Sequence, residues 1–413
     1  MERRDFLKQL TLLSTSGLLL LGGNGWAARA IGDDKGRKRL VVVFLRGAVD
    51  GLNVVVPYSE SPYYISRPTI AIPRPGEDGG ALRLDEHFAL HPALSSIMPF
   101  WDKGTLAFVH ASGSPNSSRS HFDAQDYMET ATPGYGKTPD GWMNRLLEVL
   151  PGARSATEAI SLGPTLPRIL SGPAAATNIA LNQAGTRPTP LDRPEIQAAF
   201  DRLYKGNDPL SVAYREGEAA RKKLLAELTE EMTMANQGAP SPVGFADEAQ
   251  KLGRLIARDS TIKVAFLALG GWDTHINQGS VSGQLPNRLK ALSETLATFV
   301  QALGTTYSDT VILVMSEFGR TVHENGNTGT DHGHGNVMWV MGGNVRGGKV
   351  YGQWPGLSGN ELYEGRDLAI TTDFRAVISA VLESQFGLST TQLSKVIPNG
   401  PKPSRDIREI VPA

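Results

Sequence analysis

The sequence predicts an α/β fold in which a mostly parallel central sheet is flanked by helices. Short runs of continuous apolar, largely β-branched residues recur along the chain, which is typical of strands buried on both faces of a parallel sheet. Helical segments alternate with these runs, as expected for βαβ units. The predicted strands span 40–45, 106–109, 262–269, 310–315 and 337–341.

Helical periodicity and composition predict the other elements and one domain with an insert. The predicted helices span 93–101, 120–127, 142–150, 245–257, 289–303 and 372–386. Asp140 is the expected N-cap of the helix over 142–150. Between 193 and about 240 the chain is rich in Glu, Lys, Arg and Ala at helical spacing, which predicts a helical insert or cap. We therefore expect one α/β domain over 39–400 that contains this insert, a flexible leader at 31–38 and a C-terminal tail at 401–413.

The first thirty residues have the features of a twin-arginine export signal. Arg3 and Arg4 are followed by Asp-Phe-Leu-Lys, then by a moderately apolar run over 10–21 and by a small-x-small site at 28–30. That run is too short to span a bilayer comfortably, because a spanning helix needs about 20 apolar residues. We expect residues 1–30 to be removed after export by the twin-arginine machinery to the periplasm or the extracellular space; the alternative is an uncleaved anchor.

Composition excludes several classes of function. The chain has no cysteine, which excludes disulfides, thiolate catalysis and cysteine-ligated metal. The net charge of −1 becomes −3 without residues 1–30, which hold four basic and two acidic residues, so no electrostatic footprint for nucleic acid is present. No later stretch is long and apolar enough to predict a stable membrane span.

The candidate functional residues collect at the strand ends. In open α/β sheets, ligands bind beyond the carboxyl ends of the strands. Polar, glycine-flanked loops follow the first four predicted strands and precede the fifth. They carry R-G-A-V-D-G-L-N from 46, H-A-S-G-S-P-N-S-S-R-S-H from 110, G-G-W-D-T-H from 270, S-E-F-G-R from 316 and G-T-D-H-G-H-G from 329. Five of the eight histidines, His121, His275, His323, His332 and His334, lie in or beside these loops.

These loops predict a metal site. Asp273 and His275, two residues apart on a turn, can face one ion, and His332 and His334 have the same spacing. Imidazole and carboxylate suit zinc and its neighbours. The predicted metal ligands are Asp50, Asp273, His275, Glu317, His332 and His334. We expect one or two divalent ions; zinc, calcium, magnesium and manganese remain open.

Each of these loops also has a purely structural interpretation. Asp50 with the glycine after it can form only a turn, and Glu317 can pair with Arg320. Asp273 can cap a helix beside a solvent-exposed histidine. The segment 331–334 can be a surface loop without ligands.

Hydroxyl and guanidinium groups in the same loops are candidates for catalysis. The predicted catalytic residues are Ser120, Ser118, Arg46 and Arg320. The serines of 117–120 precede a helix, where one of them is an N-cap. Alternatively, the helix dipole and a nearby metal ion make one a nucleophile, with Ser120 favoured because His121 follows it. Arg46, Arg119 or Arg320 can hold an oxyanion bidentately, or can be an ordinary surface charge.

Taken together, the motifs R-G-x-x-D-G-L-N, S-R-S-H-F-D-A-Q, G-G-W-D-T-H, S-E-F-G-R-T and D-H-G-H-G resemble the domain of unknown function 1501 family over roughly 39–390. That family is similar to the alkaline phosphatase and sulfatase superfamily, whose members use two metals and a Ser or Thr nucleophile. The resemblance implies an alkaline phosphatase-like fold and a first-strand metal ligand at Asp50. It also implies one metal on Asp273, His275 and His332 or His334. Phe318 stands where a second-metal histidine is usual.

The resulting expectation is an exported metal-dependent hydrolase of small-molecule phosphate or sulfate esters with a Ser nucleophile. One alternative is a catalytically degenerate protein of the same fold that binds a metal or another ligand in the periplasm. A second alternative is a structural protein whose Asp and His loops are coincidental. All depend on whether the side chains of these loops meet in one place.

Overall fold

The computed structural model describes residues 38–134, 138–151, 155–179, 206, 211 and 235–412. The predicted export signal, positions 31–37 of the leader, and the insert predicted over about 193–240, apart from 206, 211 and 235–240, lie outside these residues. Across the described ranges, no helix is long and apolar enough to cross a membrane.

Nine strands of the described chain form the central sheet, in the order β11-β5-β10-β9-β1-β8-β6-β7, with β12 paired to β5. A small second sheet has the order β2-β4-β3. The strands are β1 (Arg39–Leu45), β2 (Val55–Val56), β3 (Leu82–Arg83), β4 (Ala89–Leu90), β5 (Leu106–Gly113), β6 (Ala159–Leu162), β7 (Thr177–Ile179), β8 (Val264–Leu269), β9 (Thr310–Ser316), β10 (Asn336–Gly342), β11 (Lys349–Tyr351) and β12 (Thr372–Asp373).

The central sheet is mostly parallel, which confirms the predicted fold class. Strand β1 pairs in parallel with β8 and β9 on its two sides. Strand β10 is the exception: it is antiparallel to both β9 and β5. The carboxyl ends of β1, β5, β8 and β9 therefore share one edge of the sheet with the amino end of β10. All five polar loops identified in the sequence meet at that edge.

Helices cover both faces of the sheet. The α-helices of the described chain are α1 (Gly51–Val54), α2 (Ser61–Ser66), α3 (Met98–Asp102), α4 (His121–Thr130), α5 (Trp142–Val149), α6 (Ala246–Arg258), α7 (Gln284–Leu303), α8 (Phe374–Phe386), α9 (Thr390–Val396) and α10 (Arg405–Arg408). Alternate residues of β1 enter the two main apolar clusters: Phe44 packs with α5 and α8, and Val43 packs with α6 and α7. Burial on both faces explains the unbroken apolar strands.

Several predicted boundaries need correction. The segment predicted as a helix over 93–101 is a 3-10 helix, Pro92–Ile97, followed by α3. Helix α5 is capped by Gly141 rather than Asp140. The region 401–412 includes α10, and Ile407 and Ile410 of this region are buried in the core, so most of the predicted tail is part of the packed domain.

Two buried histidines, His91 and His110, act as fixed neutral hydrogen-bonding groups. In each, Nδ1 accepts a hydrogen bond from a backbone N–H, that of Ala93 or Ala111, and Nε2 donates to a backbone carbonyl. A second proton would have to be placed on a nitrogen that already faces a donor. Burial lowers the pKa of each histidine to about 4.

We predict that these two histidines make the protein sensitive to mild acid. Each binds a proton more readily in the unfolded chain, where its pKa is about 6.5, than in the fold. Stability is therefore fully retained above pH 6.5 and falls as the pH drops towards 4, by about 1.4 kcal/mol per pH unit for each histidine. Urea unfolding across this range measures the slope. The double variant His91→Gln with His110→Gln should flatten it, while the exposed control His323→Gln should not; an unchanged slope in the double variant contradicts the prediction.

Candidate metal centre

The five loops at the carboxyl edge pack closely because glycine permits it. Gly47 has a φ of +111°, and a Cβ at this position would lie 2.7 Å from the backbone nitrogen of Asp273. A Cβ on Gly319 would lie 1.8 Å from the carbonyl oxygen of Gly335. Larger residues would separate the loop after β1 from that after β8, and the loop after β9 from that before β10, so these glycines allow side chains distant in sequence to converge.

Three imidazoles and one carboxylate converge at this edge. Nε2 of His332 lies 2.9 Å from Nε2 of His121 and 3.0 Å from Nε2 of His275. The carboxylate oxygen Oδ1 of Asp273 lies 3.0 Å from Nε2 of His275. Ligand atoms of His121, Asp273 and His332 all lie within 4.8 Å of one another. The four side chains are between 1% and 12% exposed, so the cluster is almost sealed from solvent.

In each imidazole of this cluster, Nδ1 contacts an oxygen acceptor on the side away from the other ligands. Nδ1 of His121 donates to Oε1 of Glu317 at 2.7 Å, and Nδ1 of His332 donates to the carbonyl oxygen of Arg119 at 2.9 Å. Nδ1 of His275 faces Oδ1 of Asp331 at 3.3 Å. These acceptors leave Nε2 of each ring as the atom turned towards the other ligands. Partners of this kind fix the ring orientation of metal-binding histidines.

The electrostatics of the cluster favour a cation. Burial raises the pKa of Asp273, but Arg320 and the three imidazoles outweigh burial and hold the pKa far below its usual range. Burial lowers the pKa of His121, but the neighbouring carboxylates of Asp273 and Glu317 outweigh it and raise the pKa to about 9. For His275 the same balance raises the pKa, through Asp273 and Asp331. Positive charge is therefore stabilised at His121 and His275, whereas burial, with Arg320 and His121 nearby, lowers the pKa of His332 and keeps its Nε2 a lone-pair donor.

One buried atom of the cluster has no hydrogen-bond partner among the described residues. Oδ1 of Asp273 accepts a hydrogen bond from Arg320, whereas Oδ2 is buried with Nε2 of His121 3.6 Å away, beyond hydrogen-bond distance. Leaving a buried carboxylate oxygen unpaired costs free energy unless something else satisfies it. Three imidazole nitrogens and one carboxylate oxygen are a donor set that suits zinc and similar transition metals. Calcium and magnesium favour oxygen ligands. The cluster thus fits a divalent transition-metal ion.

Comparison with known proteins identifies the family. The sequence matches the family model described as "Protein of unknown function (DUF1501)" over residues 37–398. The chain belongs to this family. No curated protein matches it.

Solved structures show only distant similarity to this member of the DUF1501 family. They include Ps i-CgsB in complex with k-i-k-neocarrahexaose, at 10% identity over 86% of this chain and 74% of that one, with a TM-score of 0.42. A protein in the alkaline phosphatase superfamily from Vibrio parahaemolyticus has 10% identity over 77% and 63%, with a TM-score of 0.39. PsFucS1 sulfatase from Pseudoalteromonas sp. has 12% identity over 91% and 76%, with a TM-score of 0.40. At these values no residue role is transferred from them.

Asp50, predicted as a metal ligand, forms a buried ion pair with Arg67 in this DUF1501 chain. Its two carboxylate oxygens accept hydrogen bonds from Nη1 and Nη2 of Arg67 at 2.6 and 3.1 Å. Oδ2 also accepts one from Gln278 at 2.7 Å. Both members of the ion pair are fully buried. The structure therefore does not bring Asp50 into the imidazole cluster, because a guanidinium occupies its ligand atoms.

Glu317 and His334 also lie outside the cluster itself. Glu317 sits behind His121: its Oε1 also accepts hydrogen bonds from the Gly47 backbone and from Gln125, and its Oε2 accepts one from Ser316. Both oxygens of this carboxylate accept hydrogen bonds from protein groups, and Oε1 orients the candidate ligand His121. His334 stacks on the ring of Tyr363, 4.3 Å between centroids. Of the two histidines that the sequence left open, His332 joins the cluster.

The predicted catalytic serines lie at the entrance of helix α4. Ser120 is its N-cap, exposed, and its Oγ accepts a hydrogen bond from the backbone nitrogen of Asp123 at 3.4 Å. Oγ of Ser118 accepts one from the backbone nitrogen of Ser120. The capping role that the sequence allowed is therefore present for Ser120, next to His121.

The candidate oxyanion-binding arginines all have protein partners. Arg46 pairs with Glu129 at 2.5 Å, and Arg320 with Asp273. Arg119 pairs with Asp367 at 2.7 Å. Arg46 and Arg320 are almost fully buried, so their charges are compensated within the protein.

Sequence reasoning missed the ligand position of His121 and the orienting role of Asp331. The sequence placed His121 among the five histidines of the strand-end loops and beside Ser120, but the predicted ligand set did not include it. The signal was available, because His121 follows β5, whose end lies at the same edge as the other loops. Asp331 is the first residue of the D-H-G-H motif, but its hydrogen bond to His275 depends on tertiary contacts.

We predict that Asp50 supports the fold and not the metal. Asp50→Asn leaves the guanidinium of Arg67 buried without its counter-charge, so unfolding free energy should fall by about 3–5 kcal/mol. The metal content of the folded protein should stay unchanged. Urea denaturation and elemental analysis measure the two quantities. Lys349→Met, which breaks the exposed Lys349–Asp406 pair, is the control and should cost less than about 1 kcal/mol. Loss of metal by Asp50→Asn at unchanged stability would restore Asp50 as a ligand.

Proposed function

We propose that the protein binds one divalent transition-metal ion through His121, His275, His332 and Asp273, and that this centre hydrolyses phosphate or sulfate esters. The convergence of three Nε2 atoms around the buried carboxylate of Asp273 supports the metal centre most strongly: those of His275 and His332 lie 3.0 and 3.4 Å from Oδ1, and that of His121 lies 3.6 Å from Oδ2. Two of the six ligands predicted from the sequence, Asp50 and Glu317, have their oxygens occupied by protein donors. This favours a single ion over a pair.

In the proposed reaction, His121, His275, His332 and Asp273 would hold a divalent ion, which would supply Lewis-acid chemistry and lower the pKa of a nearby hydroxyl. Ser120 is the proposed nucleophile, because it is exposed and directly precedes His121. Its Oγ forms a bond to phosphorus or sulfur while the bond to the ester oxygen breaks. The departing alcohol gains a proton in place of the one that the serine loses. Water then releases phosphate or sulfate from the serine.

One observation favours a second candidate, a metal-binding protein without hydrolase activity. Arg46 and Arg320, the guanidiniums best placed in the sequence to hold an oxyanion, are paired with Glu129 and Asp273. A transition state in ester hydrolysis needs charge stabilisation from groups free to provide it. The near-complete burial of the four proposed ligands also suits a binding or structural metal.

We predict that metal binding distinguishes His332 from His334. Elemental analysis of the purified protein should find one equivalent of metal. His332→Ala should lower metal affinity by more than about 100-fold, since loss of a ligand should exceed the 10–100-fold effect of losing an outer partner. His334→Ala, two residues away and outside the cluster, is the matched control and should retain the metal. Removal by chelation should lower the melting temperature of wild type and His334→Ala alike.

The same preparations decide between the two candidate functions. Wild type should hydrolyse members of a panel of phosphate and sulfate esters, and chelation should abolish turnover. Ser120→Ala should bind metal normally but lose turnover. A metal-replete protein without activity on any ester supports the binding protein instead. Absence of bound metal under all metal supplements contradicts both.

We also propose that the twin-arginine pathway exports the protein to the periplasm or beyond. The E-R-R-D-F-L-K opening supports this, and a buried metal centre suits a passenger that folds before transport. Replacing both Arg3 and Arg4 by Lys should retain the protein in the cytoplasmic fraction. Arg29→Lys, a basic change in the same segment, should leave export intact. Equal export of both variants would contradict the pathway.

A further inference from the structure

We infer that Gln125 is a positioning residue that sets how Glu317 supports the ligand His121. The inference rests on the proposed metal centre and goes beyond it, since Gln125 lies behind the four proposed ligands. It predicts that an uncharged amide one helical turn from the ligand influences how firmly the metal is held.

One buried face of helix α4 carries the chain of contacts that leads to this inference. His121, Gln125 and Glu129 are spaced by four residues, so they lie above one another on the helix. All three are buried. Glu317 contacts His121 and Gln125, and Arg46 contacts Gln125 and Glu129. The order of contacts is therefore His121, Glu317, Gln125, Arg46 and Glu129.

The amide of Gln125 has only one workable orientation. Its Nε2 donates to Oε1 of Glu317 at 2.9 Å and to the carbonyl oxygen of Ala235 at 2.7 Å. Its Oε1 accepts a hydrogen bond from Nη1 of Arg46. Reversing the amide would set its donors against a guanidinium and its oxygen against two acceptors. The side chain is thus fixed at both ends.

This orientation has two effects on Glu317. The amide donates to the same oxygen, Oε1, that accepts the hydrogen bond from His121, and so it fixes the direction of that oxygen. Gln125 also stands between Glu317 and Arg46 in the chain of contacts, and Arg46 pairs with Glu129 instead. Direct pairing with Arg46 would draw the negative charge of Glu317 away from His121. Gln125 therefore preserves a carboxylate directed at the ligand.

The same contacts connect the ligand to the backbone around 235–237. Ala235 accepts from Gln125, and the side chain of Gln237 accepts from Nη1 of Arg46 at 2.6 Å. Asn236, between them, accepts through Oδ1 from the backbone nitrogen of Gly271, in the loop that carries Asp273 and His275. The loop after β1, through Arg46, and the loop after β8, through Gly271, are therefore both bonded to the segment 235–237. Gln125 connects the same segment to His121 by way of Glu317.

The test replaces Gln125 in the full-length protein and follows cobalt(II) as the probe ion. Gln125→Met keeps the length of the side chain but removes its hydrogen bonds. It should speed cobalt dissociation about 10–100-fold, the usual effect of losing an outer partner, and shift the cobalt absorption bands. Asn144→Leu is the matched control. Asn144 is a buried amide on α5 that donates to Leu170 and Ala174, away from the cluster, so its loss should leave the dissociation rate and spectrum unchanged.

Each outcome counts for or against the inference. If Gln125→Met binds cobalt with the wild-type rate and spectrum, Gln125 has no positioning role and the metal centre itself stands. If Asn144→Leu changes both readouts equally, the effect is general loosening and the inference fails. If wild type binds no metal, the metal centre and this inference fall together. Should Gln125→Met not fold, Gln125→Glu retains the acceptor for Arg46, removes the donor, and should change rate and spectrum in the same direction.

Discussion

The buried guanidinium of Arg320 is the contact on which the geometry of the site depends. Its nitrogens donate to the carbonyl oxygens of Gly47, Ala48, Trp272 and Thr330, and to the carboxylate of Asp273. One side chain therefore joins the loops after β1 and β8 to the loop before β10. A buried charge without a partner is strongly destabilising, so Arg320 and Asp273 require each other. Their pairing also keeps Asp273 ionised, with Oδ1 facing His275 and His332 and Oδ2 facing His121.

The need to satisfy buried charges also decides which acidic residues near this edge serve the fold and which one remains available to an ion. Asp50 is taken by Arg67, Glu129 by Arg46 and Asp367 by Arg119. Glu317 lacks an arginine and is satisfied by four neutral or imidazole donors. Asp273 shares one oxygen with Arg320, and within the described ranges its other oxygen accepts no hydrogen bond. Which carboxylate can meet an ion is thus decided by whether protein donors bind both of its oxygens.

This division explains how far the sequence could predict the site. The apolar runs located the five main strands, and the strand-end rule correctly brought Asp273, His275 and His332 together. An apolar run looks the same in either direction, so the antiparallel course of β10 was not predictable. The partners that occupy Asp50 and Glu317 include Arg67 and Gln125, which no motif connects to them. The choice of His332 over His334 depends on the tertiary contact at Gly333, where a Cβ would lie 2.4 Å from the backbone of Arg320.

Phe318 gives the proposed single-ion centre its physical basis. Its ring lies 4.8 Å from that of His121 and 5.1 Å from that of His332, measured between centroids. It stands where the resemblance implies a histidine for a second ion, and it offers no ligand atom. An apolar wall lowers the local dielectric, which strengthens the attraction between an ion and the carboxylate of Asp273. In the proposed single-ion centre, Phe318 would therefore strengthen binding of the one ion, and the chain itself would have to provide the stabilisation that a second ion would give to the leaving oxygen.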